Sequence, residues 1–94
     1  MLYRLKLDRH VQHQIDRLPG HVRQRILRLL DALRGQPRPP EAKPLRGNHA
    51  DKLQITLDVW RVVYRVDDVF VIVEVLKVGE KHGPEFYAGL ETTE

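Results

Sequence analysis

The chain has no cysteine, one methionine and one tryptophan among its 94 residues, and only 6% of it is aromatic. Without cysteine there is no disulfide frame, no thiolate metal site and no thiol nucleophile, which suits a reducing, cytoplasmic compartment. Nowhere do the roughly twenty consecutive apolar residues needed to cross a bilayer occur. The N-terminal MLYRLKLDRH also lacks the apolar segment of a signal peptide. A soluble cytoplasmic protein without a membrane partner is expected. There is no internal repeat, and the length suits a single domain, residues 1–94, around one core.

Charge is plentiful. Sixteen Lys and Arg face thirteen Asp and Glu, a formal charge of +3, and eleven of the sixteen are Arg. The planar guanidinium matches phosphate and carboxylate better than an ammonium does. Nucleic acid or an acidic protein is therefore a natural partner, and a solvated basic face is the plain alternative.

The densest strand-forming stretch is Leu53–Gly79, which reads as three consecutive antiparallel strands. Leu53, Ile55 and Leu57 alternate with Gln54, Thr56 and Asp58, the period of a strand buried on one face. Val59–Val66 carries Arg61 and Arg65 on the same side as Val63, because side chains two apart share a face. Val69–Val78 is almost continuously apolar and is expected to be central and covered on both faces. Asp67-Asp68 is expected to form a two-residue turn between the last two strands. Glu74 shares a face with Phe70, Ile72 and Leu76, where a carboxylate requires a partner, and Arg61 or Arg65 on the neighbouring strand can supply one.

Before the sheet, Leu2–Leu7 alternates as an edge strand, and Asp8 stands where a helix N-cap belongs. Val11, Ile15 and Leu18 form the apolar stripe of a short helix that ends at Pro19-Gly20. In His21–Arg34 a second helix places Val22, Ile26, Leu29, Leu30 and Leu33 on one face, with Gly35 as its left-handed cap. The four prolines of Gln36–Pro44 exclude helix and central strand and predict a stiff connector, with a turn at Leu45–Asn48. A polar loop, Lys77–Pro84, and a short helix, Glu85–Leu90, complete the chain. The fold class is thus α+β, with an N-terminal strand and a helical hairpin packed on a mainly antiparallel sheet.

In that order, LPGHVRQRILRLLDAL, PLRGN, WRVVYRVDD and VFVIVEVLKVGEKHGPEFY resemble the RelE/ParE superfamily of bacterial and archaeal toxins, and most closely its RelE branch. The likeness runs over nearly the whole length. It implies the toxin of a type II toxin-antitoxin system, neutralised by a cognate antitoxin and able to form a higher-order complex with it. RelE-type members enter the ribosomal A site and cut messenger RNA there, whereas ParE-type members inhibit DNA gyrase. Fold alone does not choose between them.

Such RNA cleavage uses a base, an acid for the departing 5′-oxygen and positive charge around the phosphorane, with neither metal nor cofactor. The resemblance puts Arg61 at the catalytic arginine, Lys81 at a position usually held by Arg, and Tyr87 at the C-terminal tyrosine. As plain alternatives, Arg61 pairs with Asp58 or Asp67 and Tyr87 anchors the terminal helix. Arg46, Lys52, Arg65 and His82 are candidates for RNA contact, and His49 flanks the site from another loop. Gln54, Thr56 and Gly83 stand where the RelE branch carries basic residues, which points to weaker cleavage, a different acid and base, or a binding toxin on the same scaffold. His10 and His13, three apart on a helix, lack a third ligand and read as solvated.

Overall fold

A computed structural model describes residues 1–90. In chain order its elements are β1 (Arg4–Leu7), α1 (Arg9–Asp16), α2 (Gly20–Gly35), β2 (Lys43–Pro44), β3 (Leu53–Leu57), β4 (Trp60–Asp67) and β5 (Ile72–Glu80). Single 3-10 turns occupy Gly47–His49 and Pro84–Tyr87. The strands form one sheet in the order β1-β5-β4-β3-β2, antiparallel throughout except for the parallel pair β1 and β5. That parallel pairing needs a crossover, and the two helices make it across one face of the sheet.

Local chemistry sets the start and end of each helix. Asp8 accepts the Val11 amide proton at 2.8 Å, capping α1. The spacing of Val11, Ile15 and Leu18 on the first helical segment, and of Val22, Ile26, Leu30 and Leu33 on α2, turns one stripe of each toward the sheet. Gly35 does not form a left-handed cap. The positive-φ glycines among the described residues are Gly47 and Gly89, and α2 ends where Gln36 turns extended at φ −144° and ψ 86°. Pro37 is the reason: a proline disfavours helical geometry in the residue before it. The connector then leads into the edge strand β2, where the missing amide of Pro44 is tolerated. The Tyr64 hydroxyl holds its start by donating to the Pro37 carbonyl at 2.6 Å.

The two hairpin turns reverse the expectation drawn from the aspartates. Asp58-Val59 is the two-residue turn, closing the Leu57–Trp60 pair with Asp58 at φ 57°. Between β4 and β5 the turn is longer, and Val71, not an aspartate, adopts the positive φ of 59°. The Asp67 carboxylate accepts the amides of Val69 and Phe70 at 2.9 and 3.0 Å, shaping this turn with a side chain. Val69 and Phe70 consequently lie outside the strand, 83% and 69% exposed, so the third strand starts later than its apolar run suggests. It also ends later: Lys77 to Glu80 belong to β5, not to a loop.

A bulge decides which side chains face which layer. Val63 pairs with Lys77 but Tyr64 pairs with Val75, so Leu76 is an additional residue in β5. Val73, Val75 and Val78 therefore all reach the core beneath the helices, while Leu76 joins the other face. The main core comprises the helical stripes with Ile55, Val62, Tyr64 and those three valines. On the opposite face a smaller cluster of Val63, Phe86 and Leu90 is flanked by Leu45, Leu76 and Tyr87. No helix among the described residues is long and apolar enough to cross a membrane.

Candidate nucleic-acid site

The face of the sheet opposite the helices is where the polar strand positions gather. Register places Thr56, Arg61 and Gly79 in one cross-strand row, and Gln54, Val63 and Lys77 in the next. The rows are roughly 7 Å apart, two residues along a strand. Above them the chain folds back after β5. The terminal segment is a 3-10 turn over Pro84–Tyr87 and not a helix over Glu85–Leu90. It is fastened at three points. Phe86 packs over Gly79, at a distance where an added Cβ would just touch its ring at 3.5 Å. The Lys77 ammonium donates to the Phe86 carbonyl and lies 4.6 Å from the Phe86 ring centre. The Tyr87 hydroxyl donates to Gln54 Oε1 at 2.7 Å.

Fastened in this way, Tyr87 forms one wall of a groove of about 350 Å³ whose other lining residues are Pro44, Leu45, Arg46, His49 and Lys81. The opposite wall is the connection from β2 to β3. It is closed by Leu45 N–H donating to the Lys52 carbonyl at 3.0 Å, and Gly47 supplies a positive φ of 64°. Lys81 stands 5.2 Å from the centre of the Tyr87 ring. An apolar floor with an aromatic side and two flanking cations can take a flat base together with a phosphate. No group of three or more acidic or histidine side chains suited to a metal occurs among the described residues.

Arg61 lies on the same face, on the central strand of the sheet, half-buried. Its guanidinium donates to the Asp58 carbonyl at 3.3 Å. Neither acid expected as its partner is bonded to it: the Asp58 carboxylate binds Arg25 at 3.0 Å, and the Asp67 carboxylate caps its turn. Arg65 is different. It reaches Glu74 at 2.6 Å and Asp51 at 3.7 Å, and these carboxylates hold its guanidinium above its ordinary pKa. Arg65 is thus the partner that Glu74 requires, and serves the sheet more than the groove.

The candidate residues divide accordingly. Arg46, Lys81 and Tyr87 are brought together at the groove, and Arg61 lies on the adjoining sheet face. His82 is exposed and lies 3.4 Å from Glu80, outside the groove lining. Lys52 is only 5% exposed and donates to Asp51 at 3.2 Å, holding that carboxylate below the usual range. A buried ammonium already paired with an acid is poorly placed as a phosphate contact. Lys77 and the Tyr87–Gln54 bond were not foreseen. The signal for Lys77 would have been the bulge, which single-residue alternation does not reveal.

The comparisons with known proteins bear on the fold and the family. No family model and no curated protein sequence matches the chain. Solved structures do. Escherichia coli toxin RelE, as a variant with two arginines replaced by alanine in complex with an antitoxin RelBc peptide, is 32% identical. The match covers 100% of this chain and 97% of that one, with a TM-score of 0.76. The chain belongs to the RelE family of toxins. The same RelE variant in the free state matches at a TM-score of 0.81 and 29% identity, with full coverage of both chains. RelE in the intact E. coli RelBE toxin-antitoxin complex is 31% identical over 86% of this chain and 99% of that chain, with a TM-score of 0.74. The α+β architecture of two helices on a five-stranded mixed sheet is therefore that of RelE.

Proposed function

We propose that this RelE-family toxin is a metal-independent endoribonuclease that cuts messenger RNA at the ribosomal A site and so arrests translation. The observation that carries this reading is Arg61: a guanidinium on the central strand, on the open face, bonded to the Asp58 carbonyl while the Asp58 carboxylate is engaged by Arg25. Attack of the 2′-oxygen on the adjacent phosphate forms a 2′,3′-cyclic product and releases the 5′-oxygen of the next nucleotide. Negative charge accumulates on the phosphorane between those steps. Arg61 stabilises that charge, Lys81 contributes further charge or assists proton transfer, and Tyr87 orients or activates the attacking group. Arg46, at the groove rim, holds a flanking phosphate.

The protein acts in the cytoplasm, on ribosomes, and is controlled by a cognate antitoxin like those bound to the RelE structures. Such an antitoxin would fold over the toxin and cover its exposed apolar and basic surface. The neutral Gln54 and Thr56 on the open face favour a second reading, a catalytically weakened member that acts through antitoxin binding.

The test is to incubate purified protein with ribosomes translating a defined message and to map the RNA ends beside Arg61→Ala. Loss of one charge-stabilising donor lowers the rate by about 100- to 1,000-fold. Cuts at the A-site codon that disappear in the variant support the proposal. Intact message from a protein that still arrests growth refutes it, and directs attention to gyrase.

A further inference from the structure

The hydrogen bond between Tyr87 and Gln54 has a functional consequence. A tyrosine at the rim of an open groove has two rotatable bonds, and holding one rotamer costs entropy unless a contact fixes it. Two cations lie near this segment, yet neither is on the phenolic oxygen: Lys77 is directed at the Phe86 carbonyl and ring, and Lys81 at the face of the Tyr87 ring. The partner of the phenolic oxygen is the neutral amide of Gln54, at 2.7 Å. Gln54 is itself held on β3, half-buried, across from Val63 in the interior of the sheet. The sheet therefore fixes the Gln54 backbone, and its carboxamide reaches the tyrosine from that anchor.

We infer that Gln54 is the positioning residue of this site, accepting the Tyr87 proton and thereby setting both the angle of the ring over the groove and the direction of its O–H. The inference rests on the ribonuclease reading and deepens it. A glutamine can serve a phenol in two ways, because its carboxamide carries an acceptor at one end and two donors at the other. With Oε1 toward Tyr87, the phenol donates and its proton is directed at the sheet. With the amide turned, Nε2 donates to the phenolic oxygen and the O–H is released toward the groove, where the RNA lies. Neither state changes the net charge of the site, so the exchange needs no proton from solvent. A lysine or arginine at position 54 could offer only the second arrangement, having no acceptor.

The test is a double-mutant cycle of Gln54→Leu and Tyr87→Phe, with Gln54→Glu as the variant that retains an acceptor. Cleavage of ribosome-bound message is followed at saturating and limiting ribosome concentrations. Gln54→Leu is expected to lower kcat roughly three- to tenfold, the worth of one hydrogen bond, with KM unchanged. In a Tyr87→Phe background it is expected to have no further effect, and Gln54→Glu, which accepts but cannot donate and adds negative charge beside the phosphate, should keep the ring ordered without restoring full kcat. In parallel, NMR of ring-labelled tyrosine reads the Tyr87 side chain directly. One ordered ring environment in the natural protein and in Gln54→Glu, averaged in Gln54→Leu, is the expected result.

Equal losses from Gln54→Leu in both backgrounds, or an effect on KM alone, would overturn the inference, because Gln54 would then touch RNA itself. An ordered Tyr87 ring in Gln54→Leu overturns it as well. Should the natural protein cut no message, the ribonuclease reading fails, while the ring signals still decide whether Gln54 holds Tyr87.

Discussion

Replacing Tyr64 by phenylalanine tests the structural account most sharply, because it has an effect that changes with pH. Tyr64 is wholly buried and its hydroxyl donates to the Pro37 carbonyl at 2.6 Å, tying the proline-rich connector to the centre of the sheet. Phenylalanine keeps the ring but leaves that carbonyl without its donor, at a cost of about 1–2 kcal/mol near neutrality. Burial, partly opposed by the positive charge of Arg38, pushes the phenol from 10.0 up to about 12. A raised folded pKa means that the native protein keeps a proton which the unfolded chain has already lost. The contribution is thus complete below about pH 10 and is lost as pH rises toward about 12. A shift of two units corresponds to about 2.7 kcal/mol, and roughly half is gone by about pH 11. The advantage of the natural protein over Tyr64→Phe should therefore fall from about 1.5 kcal/mol near neutrality to near zero at about pH 11. Urea unfolding of both proteins, followed by far-UV circular dichroism at a series of pH values, measures it. Tyr3, whose phenol is raised by its bond to Asp68, titrates in both proteins and cancels in the difference. A difference that stays constant from neutrality to about pH 11 would refute the reasoning, since no proton would then be linked to the Tyr64 environment.

Three further substitutions probe other parts of the fold. Val71→Gly should raise stability by about 1 kcal/mol in the same urea assay, because a β-branched residue at φ 59° is strained and glycine is not. Asp8→Ala should lower it by about 1 kcal/mol through loss of the α1 cap, and Asp8→Asn should restore most of that loss. Arg65→Leu should cost about 1 kcal/mol by stranding Glu74 against only the more distant Lys6, whereas Arg65→Leu with Glu74→Leu should cost less than the single change.

Much of this architecture was legible because it follows from periodicity and composition. The helical stripes, the Asp8 cap, the edge strand at the N-terminus and the three strands from Leu53 each leave a pattern that outlasts local irregularity. The turns did not yield in the same way. Asp58 and Asp67 look alike in sequence, yet one adopts a positive φ and the other lends its carboxylate to amides two and three residues ahead. Aspartate is suited to both uses, so composition cannot separate them. Val71 is the least expected residue for a left-handed backbone, and only the closure of β4 onto β5, with Arg4 N–H donating to the Val71 carbonyl at 3.0 Å, places it there.

The bulge links that limit to the site. Had β5 paired regularly through Leu76, with no bulge, strict alternation from Val75 would turn Lys77 toward the helices and Val78 toward the open face. Lys77 would then leave the Phe86 carbonyl, the terminal turn would lose a fastening, and Tyr87 would no longer stand over Gln54. One unpaired residue in the middle of an apolar strand thus sets one of the three fastenings of the groove wall. Nothing in VIVEVLKVG marks Leu76 as that residue, because leucine suits either face and the choice is made by the partner strand. The face that Arg61 shares with Val63 was legible because its strand is regular up to Val63, whereas its expected role rests on the family resemblance; the groove was not legible because the Tyr87 wall depends on the register of β5 beyond the bulge. The division is physical. The face of a side chain on a regular strand can be read from spacing, and a wall assembled by a departure from spacing appears only once the strands have paired.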